Sequence, residues 1–302
     1  MTSYDALLAA VAVPRRTGTA GALRVREVLK RELAARGFVA MEHSFTVRSP
    51  LHRLGRVPLD GVNLIGVRPR ARVTTWLVAH YDSKGQPLSM AARLVAAGMV
   101  ALGVLELLGL ALRGVIGPIH IGLLDASLGV AGLVGLLLLV LNRVTDRSPG
   151  AADNASGVVA ALAALDALPP DAGVGVIFSD AEEYGLLGAR ALVRERAHLL
   201  ADTAVINLDG LDDRGGTIAL VHRGGPLVDR VAGALGARRA SWLPVVVDGR
   251  VLARASREAI TILRGNWSTA RRVHTVRDTA ERLTLDGVRR VANGIAAAIP
   301  PG

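Results

Sequence analysis

The chain has 302 residues, of which 51% are hydrophobic and 21% are charged, so a disordered or fibrous protein is excluded. Cysteine is absent, which excludes disulfides and thiolate metal sites; any transition metal must be held by histidine, aspartate and glutamate. The formal net charge of +10 indicates either an anionic partner or simply an arginine-rich surface. Aromatic residues make up only 3% and no nucleic-acid-binding motif is present, so we expect no nucleic acid partner.

The predicted elements alternate between strands and helices along most of the chain. The N-terminal segment 1–14 lacks the basic start of a signal peptide, so we expect the body to stay in the cytoplasm. Strands are predicted at 38–47, 61–67, 74–79, 174–178, 204–208, 218–221, 244–247 and 259–263. Helices are predicted at 19–36, 156–168, 185–200, 227–235 and 285–298. This order predicts an α/β three-layer sandwich, with a mostly parallel central sheet flanked by helices.

Residues 88–141 interrupt the pattern with two apolar stretches. The stretches 94–112 and 121–141 each contain one acidic residue, Glu106 and Asp125, and each is long enough to cross about 30 Å of hydrocarbon as a helix. Glycine and proline between them predict a turn. We therefore predict an inserted, membrane-embedded helical hairpin; the alternatives are a hairpin buried against the body and a dimerisation arm.

Basic residues are more frequent outside this hairpin than in its turn. Lys84 and Arg93 precede the first apolar stretch and Arg143 and Arg147 follow the second, whereas Arg113 alone lies near the turn. By the positive-inside rule, this asymmetry predicts a catalytic body on the cytoplasmic side of the membrane. The predicted organisation is one discontinuous domain, 1–87 and 142–302, with the hairpin 88–141 inserted.

Five short polar motifs lie at or near the predicted ends of strands, where ligands bind in open α/β sheets. They are AHYDS with His80 and Asp82, GAADNASG with Asp153 and Asn154, FSDAEEYGLLGA with Glu182 and Glu183, INLDG with Asp209, and VHTVRDT with His274 and Asp278. Taken singly, each motif is ambiguous: a histidine is often structural, a Glu-Glu pair is often solvated, and DNASG also suits a helix N-cap.

As a set, the histidines and carboxylates suit a hard or borderline divalent ion. Two ions would find enough ligands if one aspartate bridges them. The five candidate metal ligands are His80, Asp153, Glu183, Asp209 and His274. Glu182 is then free to act as a general base beside a metal-bound water. Asp82, two residues after His80, is expected to accept a hydrogen bond from the ring nitrogen of His80 that does not bind metal.

The order and wording of these motifs resemble the M28 family of metallopeptidases, the co-catalytic zinc aminopeptidases. The resemblance covers most of the chain outside the hairpin, and PRRTGTAG at 14–21 resembles the family's opening segment. It implies that His80, Asp153 and Asp209 hold one zinc ion and that Asp153, Glu183 and His274 hold the other. It further implies that Glu182 is the general base and acid, and that the peptide bond after the bridging aspartate is cis.

Two departures from the family pattern are visible. The first histidine and the bridging aspartate lie 73 residues apart (153 minus 80), where family members usually have about a dozen, and the hairpin fills the gap. A two-helix hairpin returns the chain to the side it left, so the site stays on one side of a membrane. In addition, one segment that often borders the substrate pocket in family members is only partly recognisable here. Residues 255–265 match its apolar strand alone, so the family's specificity is not carried over.

The expected function is hydrolysis of N-terminal peptide bonds by a two-metal aminopeptidase, with Zn²⁺ as the expected ion and a peptide as substrate. Two alternatives stay open: a single-zinc glutaminyl cyclase, which shares the family's fold, and a membrane-anchored non-catalytic protein. No feature predicts the oligomeric state.

Overall fold

A computed structural model describes residues 3–47 and 58–300. Its centre is an eight-stranded sheet with the strand order β1-β2-β4-β3-β5-β8-β6-β7. The strands are β1 (Val39–Val47), β2 (Leu59–Val67), β3 (Thr75–His80), β4 (Val174–Ser179), β5 (Ala204–Leu211), β6 (Gly216–Arg223), β7 (Arg238–Ala240) and β8 (Glu258–Gly265). The four central strands β4, β3, β5 and β8 run parallel, and antiparallel pairings join them to β2 and β6.

Ten α-helices accompany the sheet in the described part of the chain. They are α1 (Tyr4–Val11), α2 (Ala20–Ala35), α3 (Met90–Ile116), α4 (Leu123–Leu141), α5 (Ser156–Ala167), α6 (Leu187–Arg196), α7 (Pro226–Ala234), α8 (Asp248–Leu252), α9 (Trp267–Ala270) and α10 (Asp286–Ala298). Short 3-10 turns at Glu182–Tyr184, Ala197–Leu199 and Ala280–Arg282, and a π-helical turn at Ala151–Ala155, complete the list.

The sheet is covered on both faces, as the three-layer prediction requires. Strand β3 is buried along its whole length, and its alternate side chains point to opposite faces. Leu77 and Ala79 join a core with α1, α2, α5, α7 and α10, while Trp76 and Val78 join a second core with α6 and α8. This burial on both faces explains why β3 and β4 read as continuous apolar runs.

Most predicted elements are confirmed, with shifts of a few residues at their ends. The predicted strand at 244–247 is wrong: this segment is a loop that leads into α8, and the edge strand lies earlier, at β7. The predicted helix at 185–200 is shorter, because α6 ends at Arg196 and a 3-10 turn follows. Helix α1 was not predicted, although its apolar side chains Leu7, Leu8 and Val11 are buried.

The apolar insertion forms two helices, α3 and α4, that pack against each other. Both are long and apolar enough to cross a membrane by length and composition, and only 11% of the most apolar window of each is buried. They approach closely at Gly103 and Gly132, where a Cβ atom on Gly103 would lie 2.8 Å from the Cα atom of Gly132. Small residues at a helix crossing are typical of packing in membranes.

Candidate metal centre

The polar motifs meet at one edge of the sheet. His80 is the last residue of β3, the Glu182–Glu183 turn follows β4, and Asp209 lies near the end of β5. These three strands are parallel, so their carboxyl ends lie at the same edge. The π-helical turn before α5 brings Asp153 to this edge, and the loop after α9 brings His274.

Each of the five candidate ligands lies within 3.7 Å of another member of the set. The carboxylate of Asp153 is central: its Oδ1 atom is 3.0 Å from Nε2 of His80, and its Oδ2 atom is 3.0 Å from Nε2 of His274. Nε2 of His80 lies 3.7 Å from Asp209 Oδ1, and Nε2 of His274 lies 2.9 Å from Glu183 Oε1. The cluster is almost fully buried.

The ring of His80 is oriented by its own strand end. Its Nδ1 atom faces the main-chain oxygen of Asp82 at 3.2 Å, whereas the Asp82 carboxylate is 3.4 Å away. The hydrogen bond therefore goes to the carbonyl rather than to the carboxylate that we expected. Because a carbonyl only accepts, Nδ1 carries a proton, and the ring presents its other nitrogen, Nε2, to Asp153.

The carboxylate of Asp82 has a different partner, the turn that carries the two glutamates. Its Oδ1 and Oδ2 atoms accept hydrogen bonds from the backbone N–H groups of Glu182 (3.1 Å) and Glu183 (3.2 Å). Ala181 and Leu186, on either side, adopt positive φ angles. Asp82 thus fixes the backbone from which Glu182 and Glu183 diverge.

Asp153 is held by the loop that follows His274. The carboxylate of Asp278 accepts hydrogen bonds from the backbone N–H groups of Ala152 (2.8 Å) and Asp153 (3.1 Å). The Asp153–Asn154 peptide bond is cis, as the family resemblance implied. The side chain of Asn154 bonds to the main-chain oxygen of Leu208 at 2.8 Å, which ties this turn to β5.

The cluster shifts the pKa values of its members in opposite directions. Burial raises the pKa of Glu182 well above its usual range, and Asp209 and Glu183 add to this shift. Burial also raises the pKa of Glu183, but the charges of His274 and Lys84 outweigh it and bring the pKa to about 2. The two adjacent glutamates therefore have distinct environments.

Sequence reasoning missed several charged groups around the cluster. Lys84 forms an ion pair with Glu183 Oε2 at 2.8 Å, and the guanidinium of Arg93 contacts Nδ1 of His274. The sequence identified both only as charges that flank the hairpin, and the structure shows that both also contact the site. The order of the chain gave no signal, because the contacts of Arg93 depend on how the hairpin packs.

Arg15 and Asp248 were also not predicted as part of the site. Arg15 is fully buried and donates to the main-chain oxygens of Tyr81 (2.6 Å) and Gly150 (2.9 Å), so it joins the two chain segments that flank the hairpin. Asp248 receives a hydrogen bond from Ser179, and burial raises its pKa to about 7. The opening segment PRRTGTAG was a signal for Arg15; Asp248 had none.

The residues present fit divalent metal ions. Two groups of side chains, His80 with Glu182 and Asp209, and Asp153 with Glu183 and His274, each bring three ligand atoms within 4.8 Å of one another. Glu183 Oε1 and His274 Nε2 are buried and have no hydrogen-bond partner in the described part of the chain. A cation between them would satisfy both atoms.

The fold and the site together define a class: an α/β protein with a carboxylate and imidazole cluster at the carboxyl edge of its parallel strands, suited to metal-assisted hydrolysis. Residues 63–299 match the description Peptidase family M28, and the chain belongs to this family. Membership supports a hydrolase of the metallopeptidase type and, with the cluster described above, zinc binding.

Solved structures share this fold at low sequence identity. A zinc aminopeptidase from Bacillus subtilis aligns with a TM-score of 0.67 and 12% identity, covering 98% of this chain and 93% of that one. A glutaminyl cyclase from Bacteroides thetaiotaomicron, bound to N-acetylhistamine, aligns with a TM-score of 0.65 and 17% identity, covering 98% and 97%. No curated protein matches the sequence.

Proposed function

We propose that this protein is a zinc-dependent aminopeptidase that hydrolyses N-terminal peptide bonds. The observation that carries the proposal is the position of Asp153, whose two carboxylate oxygens each face a different histidine at 3.0 Å. This is the arrangement that a bridging ligand needs. His80, Asp153 and Asp209 would hold one ion, and Asp153, Glu183 and His274 the other.

Bound at these ligands, two zinc ions would supply a lowered pKa for water and polarisation of the scissile carbonyl. Glu182 is the general base in this proposal: it takes the proton of the attacking water and delivers it to the leaving amine. Asp82 holds the backbone of Glu182 in place, and Asp278 does the same for Asp153.

We also propose that α3 and α4 lie in a membrane, with the catalytic body on the cytoplasmic side. The exposed apolar surface of both helices supports the first part. For the second part, Arg143 and Arg147 are exposed at the base of the hairpin, and Lys84 and Arg93, which also contact the site, lie at the same end.

A glutaminyl cyclase is the second candidate, because proteins with that activity share this fold at a similar TM-score. His80 and Asp209 lie beside Asp153 in addition to Glu183 and His274, so ligands for a second ion are present, which favours two ions over the single zinc expected of a cyclase. The same set of ligands speaks against a non-catalytic protein of this fold.

The Glu182→Gln variant tests the proposed base. We expect kcat on an aminoacyl-anilide to fall by about 10²–10⁴-fold, the usual contribution of a general base, while zinc content and thermal stability stay close to wild type. Glu27→Gln, at an exposed position on α2, is the matched control. Retained turnover in Glu182→Gln would remove this residue from the mechanism.

A product assay separates the two enzyme candidates. The zinc-loaded full chain in detergent is incubated with a peptide that begins with glutamine, and the products are identified by mass spectrometry. Release of free glutamine supports the aminopeptidase, whereas loss of ammonia with the peptide bond intact identifies a cyclase. If neither product forms from this or other N-terminal residues, the non-catalytic alternative stands. Anomalous scattering at the zinc edge counts the ions.

A further inference from the structure

We propose that the catalytic site works within the headgroup layer of a bilayer, and that its substrates are peptides whose N-terminus is held at the membrane surface. The inference rests on the proposed aminopeptidase function, because it names the substrate class of the same site. It follows from how the hairpin is joined to the segment that carries His274.

The first limb of the hairpin touches this segment directly. The guanidinium of Arg93, in the first turn of α3, contacts the ring of His274. The backbone N–H of Gln86 donates to the main-chain oxygen of His274 at 2.7 Å, and that of Met90 donates to Val273 at 3.4 Å. The candidate metal ligand therefore lies against the base of α3.

The returning limb is fastened at the same place. Gly85 and Thr145 exchange two backbone hydrogen bonds of 2.8 and 2.7 Å, and the side chain of Asn142 accepts a bond of 2.9 Å from the N–H of Leu88. Ser148 donates to the main-chain oxygen of Thr275 at 3.0 Å. Both ends of the hairpin are thus fixed to the His274 loop. The base of the hairpin and the site therefore lie at the same distance from the membrane that the hairpin would enter.

Apolar exposure begins immediately beyond this junction. Val95 is 54% exposed, and Val140 and Leu141, at the end of α4, are 69% and 57% exposed. Arg93 precedes Val95 by two residues, a rise of about 3 Å along a helix. Because headgroups add roughly 5–8 Å on each side of the hydrocarbon core, a site in contact with Arg93 falls inside the headgroup layer when the hairpin spans the core.

The charges within the hairpin suit lipid rather than water as its surroundings. Between residues 94 and 141 the only Asp, Glu, Lys or Arg residues are Glu106, Arg113 and Asp125. Arg113 forms ion pairs with Glu106 (2.8 Å) and with Asp125 (2.7 Å). Charges in a membrane are generally paired in this way, because an isolated charge in hydrocarbon is costly.

The body surface around the junction has the composition of a membrane interface. Trp267 is 56% exposed on α9, which packs against α3, and Val276, two residues after His274, is 60% exposed. Exposed arginines flank both limbs and the His274 loop: Arg143, Arg147, Arg271 and Arg277. Tryptophan and basic side chains at this height match the aromatic belt and the anionic headgroups of a bilayer.

A peptide reaches such a site only if its N-terminus comes to the headgroup layer. Amphipathic peptides that bind the surface, and membrane-inserted chains with a short extramembrane N-terminus, satisfy this condition. An N-terminus held tens of ångströms above the bilayer does not. Height above the membrane is therefore the property that selects the substrate.

A pair of lipid-anchored peptides measures this height. Zinc-loaded full-length protein is placed in nanodiscs of phosphatidylcholine and phosphatidylglycerol. Both peptides have the same N-terminal residues and the same C-terminal palmitoyl anchor, but one has a short flexible spacer and the other a rigid helix of about 20 residues, which lifts the N-terminus by about 30 Å. We expect cleavage of the short peptide to be faster by at least tenfold. Equal rates, or faster cleavage of the long peptide, would overturn the inference.

A second measurement does not depend on catalysis. Fluorescence quenching by brominated lipid is compared in Trp242→Phe and Trp267→Phe, both of which keep the buried Trp76. Trp242 follows β7 at the edge where β8 begins, opposite the site, so it serves as the matched control. We expect quenching to persist in Trp242→Phe and to be largely lost in Trp267→Phe; the reverse contradicts the inference.

The two proposals fail separately. If the aminoacyl-anilide and both anchored peptides remain uncleaved, the proposed function is wrong, while the quenching of Trp267 still tests the position of the site. If the anilide is cleaved but the spacer has no effect, the aminopeptidase stands and the inference about membrane-held substrates falls.

Discussion

The hairpin and the α/β body follow opposite rules of burial. In the body, apolar side chains are buried on both faces of the sheet, and the charged groups Arg15, Asp82 and Asp180 are buried with them. In α3 and α4 the large apolar side chains are mostly exposed. The body buries its apolar side chains away from water and encloses a polar site. The hairpin instead exposes an apolar surface that suits lipid or another apolar partner.

The two regions nevertheless meet at the site. The body supplies the candidate metal ligands, and the hairpin, inserted between His80 and Asp153, supplies Arg93 beside His274. An insertion at this point costs the site little, because its ends lie side by side: Leu88 N and Asn142 Oδ1 are 2.9 Å apart. The difference in surface chemistry thus stops at a junction a few residues wide.

The largest expected effect comes from the polar centre of the body. Asp153→Asn removes the charge that both histidines face, so we expect loss of bound zinc and of nearly all activity. Zinc content by atomic absorption and turnover of an aminoacyl-anilide measure the two effects. Asp171→Asn, in an exposed loop, should behave as wild type. Full occupancy by two ions in Asp153→Asn would contradict the bridging role.

Excision of the hairpin tests whether the two regions fold independently. In a variant with a short glycine-serine linker between Leu88 and Asn142, we expect the body to appear in the soluble fraction without detergent and to unfold cooperatively. The full chain should require detergent for extraction. A full chain that is soluble without detergent would end the membrane interpretation, and an aggregated body would show that the hairpin belongs to its core.

The support given to the glutamate turn should matter less than the ligands themselves. Asp82→Asn keeps one oxygen acceptor but cannot receive both backbone N–H groups of Glu182 and Glu183. We expect kcat to fall by about 10–100-fold, the usual cost of losing a group that orients metal-site residues, with little change in KM and zinc retained. Asp60→Asn, on an exposed side chain of β2, is the control. A change in KM alone would place Asp82 in substrate binding instead.

The smallest effect is expected within the hairpin. Gly103→Leu places a side chain against Gly132, where even a Cβ atom would lie 2.8 Å from Cα, so overpacking of about 1–3 kcal/mol should loosen α3 from α4. Gly109→Leu, where a Cβ atom meets nothing within 4 Å, is the matched control. Hydrogen exchange of residues 90–141 in nanodiscs should rise in the first variant only, while the body remains unchanged.

Local patterns were sufficient to predict much of this molecule. Strand β3 and the two apolar helices have long, unmixed apolar runs, and such runs leave few alternatives. The strand wrongly predicted at 244–247 is a short apolar run with no partner strand, so its propensity lost to the tertiary context. Short edge elements such as β7 carry too few residues to give a signal.

The residue types that bind metal were also visible in the sequence, since His80, Asp153, Glu183, Asp209 and His274 occur in distinctive motifs after strands. Their distances were not visible, because they depend on the parallel order of β4, β3 and β5. We expected the Asp82 carboxylate to accept a hydrogen bond from the His80 ring. Instead the Asp82 carbonyl faces the ring, and the carboxylate accepts from the backbone of Glu182. Which oxygen of a residue faces which donor depends on backbone direction at the strand end.

By itself, the sequence determined that this chain has an α/β body, a candidate set of metal ligands without cysteine, and two long apolar stretches. Only the tertiary structure decided that Arg93 and Lys84 contact the site, and that both limbs of the hairpin close on the His274 loop. The physical reason is that periodicity and composition record how apolar each segment is, whereas contacts between residues 93 and 274 arise only when distant segments pack together.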